Sequence, residues 1–339
     1  MIKKLSIKLF ISIISIIIIT SYFVITSIIG NDRYQNLKSL LNFEQKELIK
    51  KYIFPYKVIS EKELELSRLE KFTFLNLELQ NKKEGVEIET FKKSIKLFND
   101  KILDKYKLVS NFYAGIHEAF PGSGYIDFYE GNIIIVSSRG VLAFKKNIDD
   151  IEKNFKQINN NINEFIGLSQ FKKGYWYSIK DILIFSNKIF ISYTEEIKKD
   201  CWNTSIIYGV FNYENIEFEK LFSPQECIHS KNNIDKEFNA HQSGGRIFPF
   251  NDNQVLLSIG DYRERYLAQD VKSVNGKIIR ININNDNYEI ISMGHRNPQG
   301  LYFDKENDFI LETEHGPKGG DEINLIEINK INKDKIQNY

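Results

Sequence analysis

Two cysteines and six prolines are spread over 339 residues, and the formal net charge is only +1. So little excess positive charge argues against a nucleic-acid binder, which needs a basic face to meet phosphates. Neither glycine nor proline is frequent enough to suggest a disordered chain. The two cysteines, Cys201 and Cys227, allow at most one disulfide. A bridge between them and a pair of buried thiols remain open alternatives on sequence alone. The length and apolar content are ample for one large domain or two ordinary ones.

What the chain does have begins at its N-terminus. Lys3, Lys4 and Lys8 precede a run without charged residues from Leu9 to Gly30. At about 22 residues, this run is long enough to cross a bilayer as a helix. Its exit, Thr-Ser-Ile-Ile-Gly, is a poor cleavage site, so an uncleaved signal-anchor over residues 1–30 is expected. With the lysines on the inner side, residue 31 onward would lie on the periplasmic or extracellular face. Residues 31–110 then read as a membrane-proximal helical segment. Leu37, Leu40, Leu41, Phe43, Leu48 and Ile49 recur at near-helical spacing, Pro55 interrupts, and a second helical piece is expected near Glu89–Leu103.

From residue 111 to 339 the pattern turns to short β-type runs. A strand, a tight polar turn, a stronger strand and a third strand recur about every 50–65 residues, the rhythm of propeller blades. The strong strands are Ile133–Val136, Ile189–Tyr193, Val255–Ile259 and Phe309–Thr313. The expected fold is therefore all-β, a partial β-propeller of about four blade units. No closing strand is evident after the fourth unit, and the chain reads as cut short there.

Three polar clusters fall at blade-equivalent positions: HQSGGRIFPF with LLSIGD, GHRNPQGLYFD, and ETEHGPKGGDEINLI. Glycine lets backbone approach a ligand closely. Histidine, arginine and asparagine there supply a base and anchors for anionic or carbonyl oxygens. Taken singly, each has a plainer reading: Asp261 closing a turn, Asn297-Pro298 as a turn dipeptide, Arg246 paired with a carboxylate between blades.

Taken together in this order, with AQD at 268–270 and NGKIIRI at 275–281, the clusters resemble the quinoprotein glucose/sorbosone dehydrogenase family. The resemblance is strong over about Asn239–Asn329 and extends only as blade rhythm before that. It implies a six-bladed propeller that oxidises a sugar or other alcohol with pyrroloquinoline quinone (PQQ) and Ca²⁺. His241 would be the general base. Arg296, Asn297, His315, Gly316 and Pro317 would hold the cofactor. Gly316 and Pro317 carbonyls would bind Ca²⁺, and Asp321 and Glu322 would serve a second, structural Ca²⁺ or brace the loop. Ala240 stands where glucose-oxidising relatives carry an acidic residue. The electron acceptor is not readable. Two other classes are weighed beside this one. One is a non-catalytic propeller that binds a glycan or protein partner. The other is a Ca²⁺-dependent hydrolase, for which no inward-facing set of carboxylates is evident.

Overall fold

The computed structural model describes residues 87–88, 90–108, 124–137, 140–146, 155–166, 177–330 and 336–339, together with single positions upstream. The chain divides into two units, Met1–Val58 and Ile59–Tyr339. In the first unit the described positions Ser21, Gln45, Leu48 and Tyr52 are helical. In the second, Ile59, Ser60 and Lys62–Leu64 are helical as well. The expected membrane span, Leu9–Gly30, lies outside the described residues except for Ser21. Among the described residues no helix is long and apolar enough to cross a membrane.

Among its described residues the second unit contains four blade-like, mainly antiparallel sheets. The first blade contains Gly124–Tyr129, Asn132–Ser137, Leu142–Lys145 and Phe155–Gln157, with Glu87–Ile88 at its outer edge. In the second blade, Ile179–Phe185, Lys188–Lys198, Cys201–Val210 and Glu219–Phe222 follow in order. The third consists of Gly244–Asn251, Gln254–Ile259, Lys277–Asn282 and Tyr288–Met293, with Gln337–Asn338 added in parallel. The fourth has Pro298–Asp304, Phe309–Glu314 and Glu322–Glu327. The first strands of successive blades pack side by side, so the blades succeed one another in a propeller-like arrangement.

The strand sequences are apolar on both faces because each inner sheet is covered on both faces. In the second blade, Ile189, Ile191 and Ile207 pack toward the first blade, while Phe190 and Ile206 pack toward the third. The third blade repeats this: Val255, Leu257 and Ile259 meet the second blade, and Leu256 and Ile278 meet Leu301, Ile310 and Ile326 of the fourth. The unbroken run Val255–Ile259 is the sequence trace of that two-sided burial. Tight turns set the register. Glu130–Gly131 and Ser186–Asn187 take positive φ at both positions, as two-residue hairpin turns with the twist of the flanking strands require.

The helix expected near Glu89–Leu103 is instead a β-hairpin, and this part of the expected 31–110 helical segment is corrected accordingly. Thr90–Lys96 pairs antiparallel with Ile102–Leu108. Asn99 and Asp100 sit at φ 58° and 54°, a left-handed pair that a helix cannot contain and that a turn favours.

Cys201 and Cys227 form a disulfide with Cα atoms 5.3 Å apart. It ties the start of the third strand of the second blade to the loop that follows its outer strand.

Candidate functional site

The three motif clusters meet at one end of the third and fourth blades. His241–Ser243 leads directly into the first strand of the third blade, and Gly260–Asp261 leaves its second strand. Main-chain bonds close these two segments on each other, Tyr262 N–H to Gln242 O at 2.9 Å and Gly260 N–H to Ser243 O at 2.9 Å. A Cβ on Gly260 would lie 2.2 Å from the Gln242 carbonyl oxygen, so this approach requires glycine. The loop entering the fourth blade joins them. Asp261 donates its N–H to Arg296 O at 2.9 Å, and Gly244 donates to Asn297 Oδ1 at 3.2 Å. Arg296 Nη1 in turn donates to the carbonyls of His315 at 2.6 Å and Gly316 at 2.7 Å.

The structure thus brings His241, Arg296, Asn297, His315 and Gly316 into one connected group of loops. The hydrogen-bond partners of the Arg296 guanidinium are neutral oxygens, an arrangement suited to receiving a carboxylate or quinone oxygen. Burial lowers its pKa against the pull of Asp261. Asn297 is buried and fixed by Gly244, so its role here is to lock two loops together.

Gln242, Asp261 and Arg263 complete the cluster. In the amide orientation that satisfies both ends, Gln242 accepts from Arg296 Nη2 at 2.8 Å and Arg263 Nε at 3.0 Å, and donates to Asp261 Oδ1 at 3.2 Å. Burial pushes Asp261 up to about 6, while the Arg263 amide and the charges of Arg296, Arg265 and Arg263 pull the other way. Arg263 and Arg265 went unassigned in the sequence. Two arginines within four residues after Asp261 were the available signal.

His241 lies at the surface of its loop, open to solvent on one side. Desolvation on its other side and the nearby Lys180 ammonium push the imidazole down to about 4, a shift that solvent on the open side blunts. Lys180 reaches the main chain next to it, Nζ to Ala240 O at 3.4 Å. Ala240 itself is buried with Tyr177, Trp202 and Tyr262. An acidic side chain there would be driven into aromatic rings, so alanine fits the packing of this chain.

The residues expected at metal sites divide. Gly316 and Pro317 form a tight loop in which Gly320 N–H donates to Pro317 O at 2.7 Å. A Cβ on Gly316 would fall 1.6 Å from Gly320 O. These carbonyls are hard oxygen donors of the kind Ca²⁺ takes. The Gly316 oxygen is held by Arg296, however, so a cation there requires that guanidinium to turn away. Asp321 ends the same loop and Glu322 begins the strand after it; both are exposed, Asp321 near His315 Nδ1 at 3.4 Å and Glu322 near Asn324 Nδ2 at 3.5 Å.

Residues 184–330 match the Glucose / Sorbosone dehydrogenase family model. This span holds the third and fourth blades and most of the second. Aldose sugar dehydrogenase YliI of Escherichia coli K12 is 28% identical over 156 residues, covering 41% of this chain and 40% of that protein. Quinoprotein glucose dehydrogenase B of Acinetobacter calcoaceticus is 34% identical over 116 residues, covering 25% of this chain and 24% of that protein. The PQQ-bound aldose sugar dehydrogenase of Streptomyces coelicolor overlaps with a TM-score of 0.45 at 17% identity, covering 61% of this chain and 60% of that one. The chain spans 40% or less of the length of these two curated relatives. Within the matched span it resembles the quinoprotein sugar dehydrogenases.

Proposed function

We propose that this chain carries part of a PQQ-dependent dehydrogenase acting on a sugar or other alcohol. The observation that carries the reading is the convergence of His241, Gln242, Asp261, Arg263 and Arg296 at one end of adjacent blades, within the span that matches the family. The set suits an anionic, oxygen-rich cofactor. Arg296 and Arg263 already share the Gln242 amide oxygen, and a carboxylated ligand would replace that neutral oxygen with a charged one. Bound PQQ supplies the hydride acceptor. His241 takes the hydroxyl proton of the substrate. Its lowered pKa keeps the ring neutral, and so able to accept a proton, across the physiological range. Asn297 locks the loop that carries Arg296, and the His315 carbonyl holds the guanidinium. Ca²⁺ would be taken by the Gly316 and Pro317 carbonyls once Arg296 pairs with the cofactor instead of with Gly316. Asp321 and Glu322 would brace that loop or hold a second Ca²⁺.

The same reading extends to location. The N-terminal lysines and the uncharged run Leu9–Gly30 support a single-pass anchor with the blades on the outer side of the cell membrane. The deciding experiment is direct. The full chain is titrated with PQQ with and without Ca²⁺, and reduction of an artificial electron acceptor is followed over a panel of sugars and alcohols. Binding that depends on Arg296, together with dye reduction, supports the proposal. A folded chain that binds no PQQ and reduces no dye would leave a non-catalytic glycan- or protein-binding propeller as the better reading.

A further inference from the structure

Glu314 and Glu312 project from the second strand of the fourth blade toward His295, which lies in the loop between the third and fourth blades. All three side chains are sealed from solvent, at 0% exposure for His295 and Glu312 and 4% for Glu314. His295 Nδ1 stands 3.2 Å from Glu314 Oε1 and 3.7 Å from Glu312 Oε2. Asn324, on the neighbouring strand, places its amide nitrogen 3.0 Å from Glu312 Oε2 and 3.1 Å from Glu314 Oε1. The Tyr339 ring stacks on His295 at 5.5 Å.

Two carboxyl groups buried beside an imidazole need positive charge between them. Glu312 Oε1 is buried with no hydrogen-bond partner, so the present contacts leave this carboxyl incompletely satisfied. His295 is also arranged as a ligand would be. Its Nε2 meets Ser292 Oγ at 2.7 Å, and if that nitrogen carries the proton, the Nδ1 lone pair faces the two carboxylates.

We propose that His295, Glu312, Glu314 and Asn324 form a buried binding site for one divalent cation of the zinc or manganese class. In tetrahedral coordination with bonds of about 2.0–2.2 Å, ligand atoms lie about 3.3–3.6 Å apart. The present separations of 3.2 and 3.7 Å around His295 Nδ1 bracket that range. A turn of the Asn324 amide exchanges its nitrogen for Oδ1 and supplies the fourth ligand. One imidazole nitrogen with two carboxylates favours zinc or manganese over Ca²⁺, which prefers an all-oxygen shell. The cation would also fix the neighbouring loop. Glu314 Oε2 already accepts the N–H groups of Arg296 at 2.6 Å and Asn297 at 3.3 Å.

The test uses the full chain in detergent, stripped with a chelator, loaded with Zn²⁺, and counted by mass spectrometry after gel filtration. One zinc per chain is expected, retained against excess Ca²⁺. Glu312→Gln should weaken zinc binding at least tenfold. Asn324→Asp should strengthen it, and Glu306→Gln, at an exposed turn of the same blade, should leave it unchanged. A folded chain that retains no stoichiometric zinc, or a Glu312→Gln variant that binds equally well, overturns the proposal. If Glu312→Gln does not fold, the wild-type stoichiometry and the Asn324→Asp comparison decide. None of these measurements depends on PQQ, so failure here leaves the dehydrogenase reading standing.

Discussion

Arg246 on the first strand of the third blade bonds Asp181 on the first strand of the second, Nη1 to Oδ1 at 2.8 Å. The other Asp181 oxygen accepts the Ile247 N–H at 2.8 Å. The pair fastens two blades near the axis, and Arg246 is therefore a structural residue despite lying inside the HQSGGR motif. Arg246→Ala should cost about 1–3 kcal/mol, the usual penalty for leaving a buried partner incompletely satisfied. Burial raises Asp181 to about 6, with Arg246 opposing that rise. A raised carboxyl favours the fold below the ordinary value near 3.8 and loses that contribution as pH climbs through about 6. Without Arg246 the uncompensated charge matters only once Asp181 ionises. Urea unfolding should therefore show a larger deficit for Arg246→Ala at pH 8 than at pH 5, and an equal deficit at both would contradict this account.

The Cys201–Cys227 disulfide closes a loop across a sequence separation of 26. Loop-closure entropy for that span corresponds to about 3.5 kcal/mol. The bridge also lies next to the stacked rings of Tyr177 and Trp202, 3.9 Å apart. Replacing both cysteines by serine should lower the melting temperature by several degrees, and the same shift should follow reduction of the unaltered chain. Melting that ignores reductant would show that the bridge adds nothing.

Much of this fold is legible in the sequence because blade strands are covered on both faces, which leaves unbroken apolar runs such as Val255–Ile259 and Ile189–Tyr193. The hairpin at Thr90–Leu108 was not legible by the same rule. Its apolar residues are sparse among lysines, and Phe91, Ile95 and Phe98 fall near helical spacing. The overlooked signal was Asn99-Asp100, a pair that tolerates left-handed backbone. At the site, the motifs marked the right loops but not what joins them. The AQD and NGK motifs prove to be one feature. Lys277, wholly buried, donates to the carbonyls of Leu267 at 2.7 Å, Ala268 at 2.9 Å and Asn275 at 2.8 Å. No spacing rule announces a lysine that caps carbonyls from the inside, just as none pairs His295 with Glu312 and Glu314.

Gly316→Ala tests the loop that Arg296 holds. The added methyl would collide with Gly320 O, and main chain cannot yield as a flexible side-chain tip can. Relief of such overpacking typically costs about 1–3 kcal/mol. The local consequence is the sharper readout. Displacing the Gly316 carbonyl removes one of the two carbonyls proposed to take Ca²⁺, so PQQ affinity measured with Ca²⁺ should fall in Gly316→Ala. If Gly316→Ala binds PQQ and Ca²⁺ as the parent does, the Gly316 carbonyl has no part in the cation site.

His241 and Arg296 should separate in kinetics. His241→Ala should lower turnover about 10²–10⁴-fold, the usual worth of a general base, while leaving PQQ affinity nearly unchanged. Arg296→Ala should weaken PQQ binding itself. The pH profile adds a discriminating sign. Protonated imidazole cannot accept a proton, so activity is lost as pH falls through the His241 pKa. Desolvation and the Lys180 ammonium lower that pKa from 6.5 to about 4, so the acid limb should lie below 6.5, toward 4. Lys180→Met removes the ammonium and should move the limb upward, because one of the two causes of the depression is gone. An acid limb that stays in place in Lys180→Met, or that sits above 6.5 in the parent chain, would show that His241 is not the group being titrated.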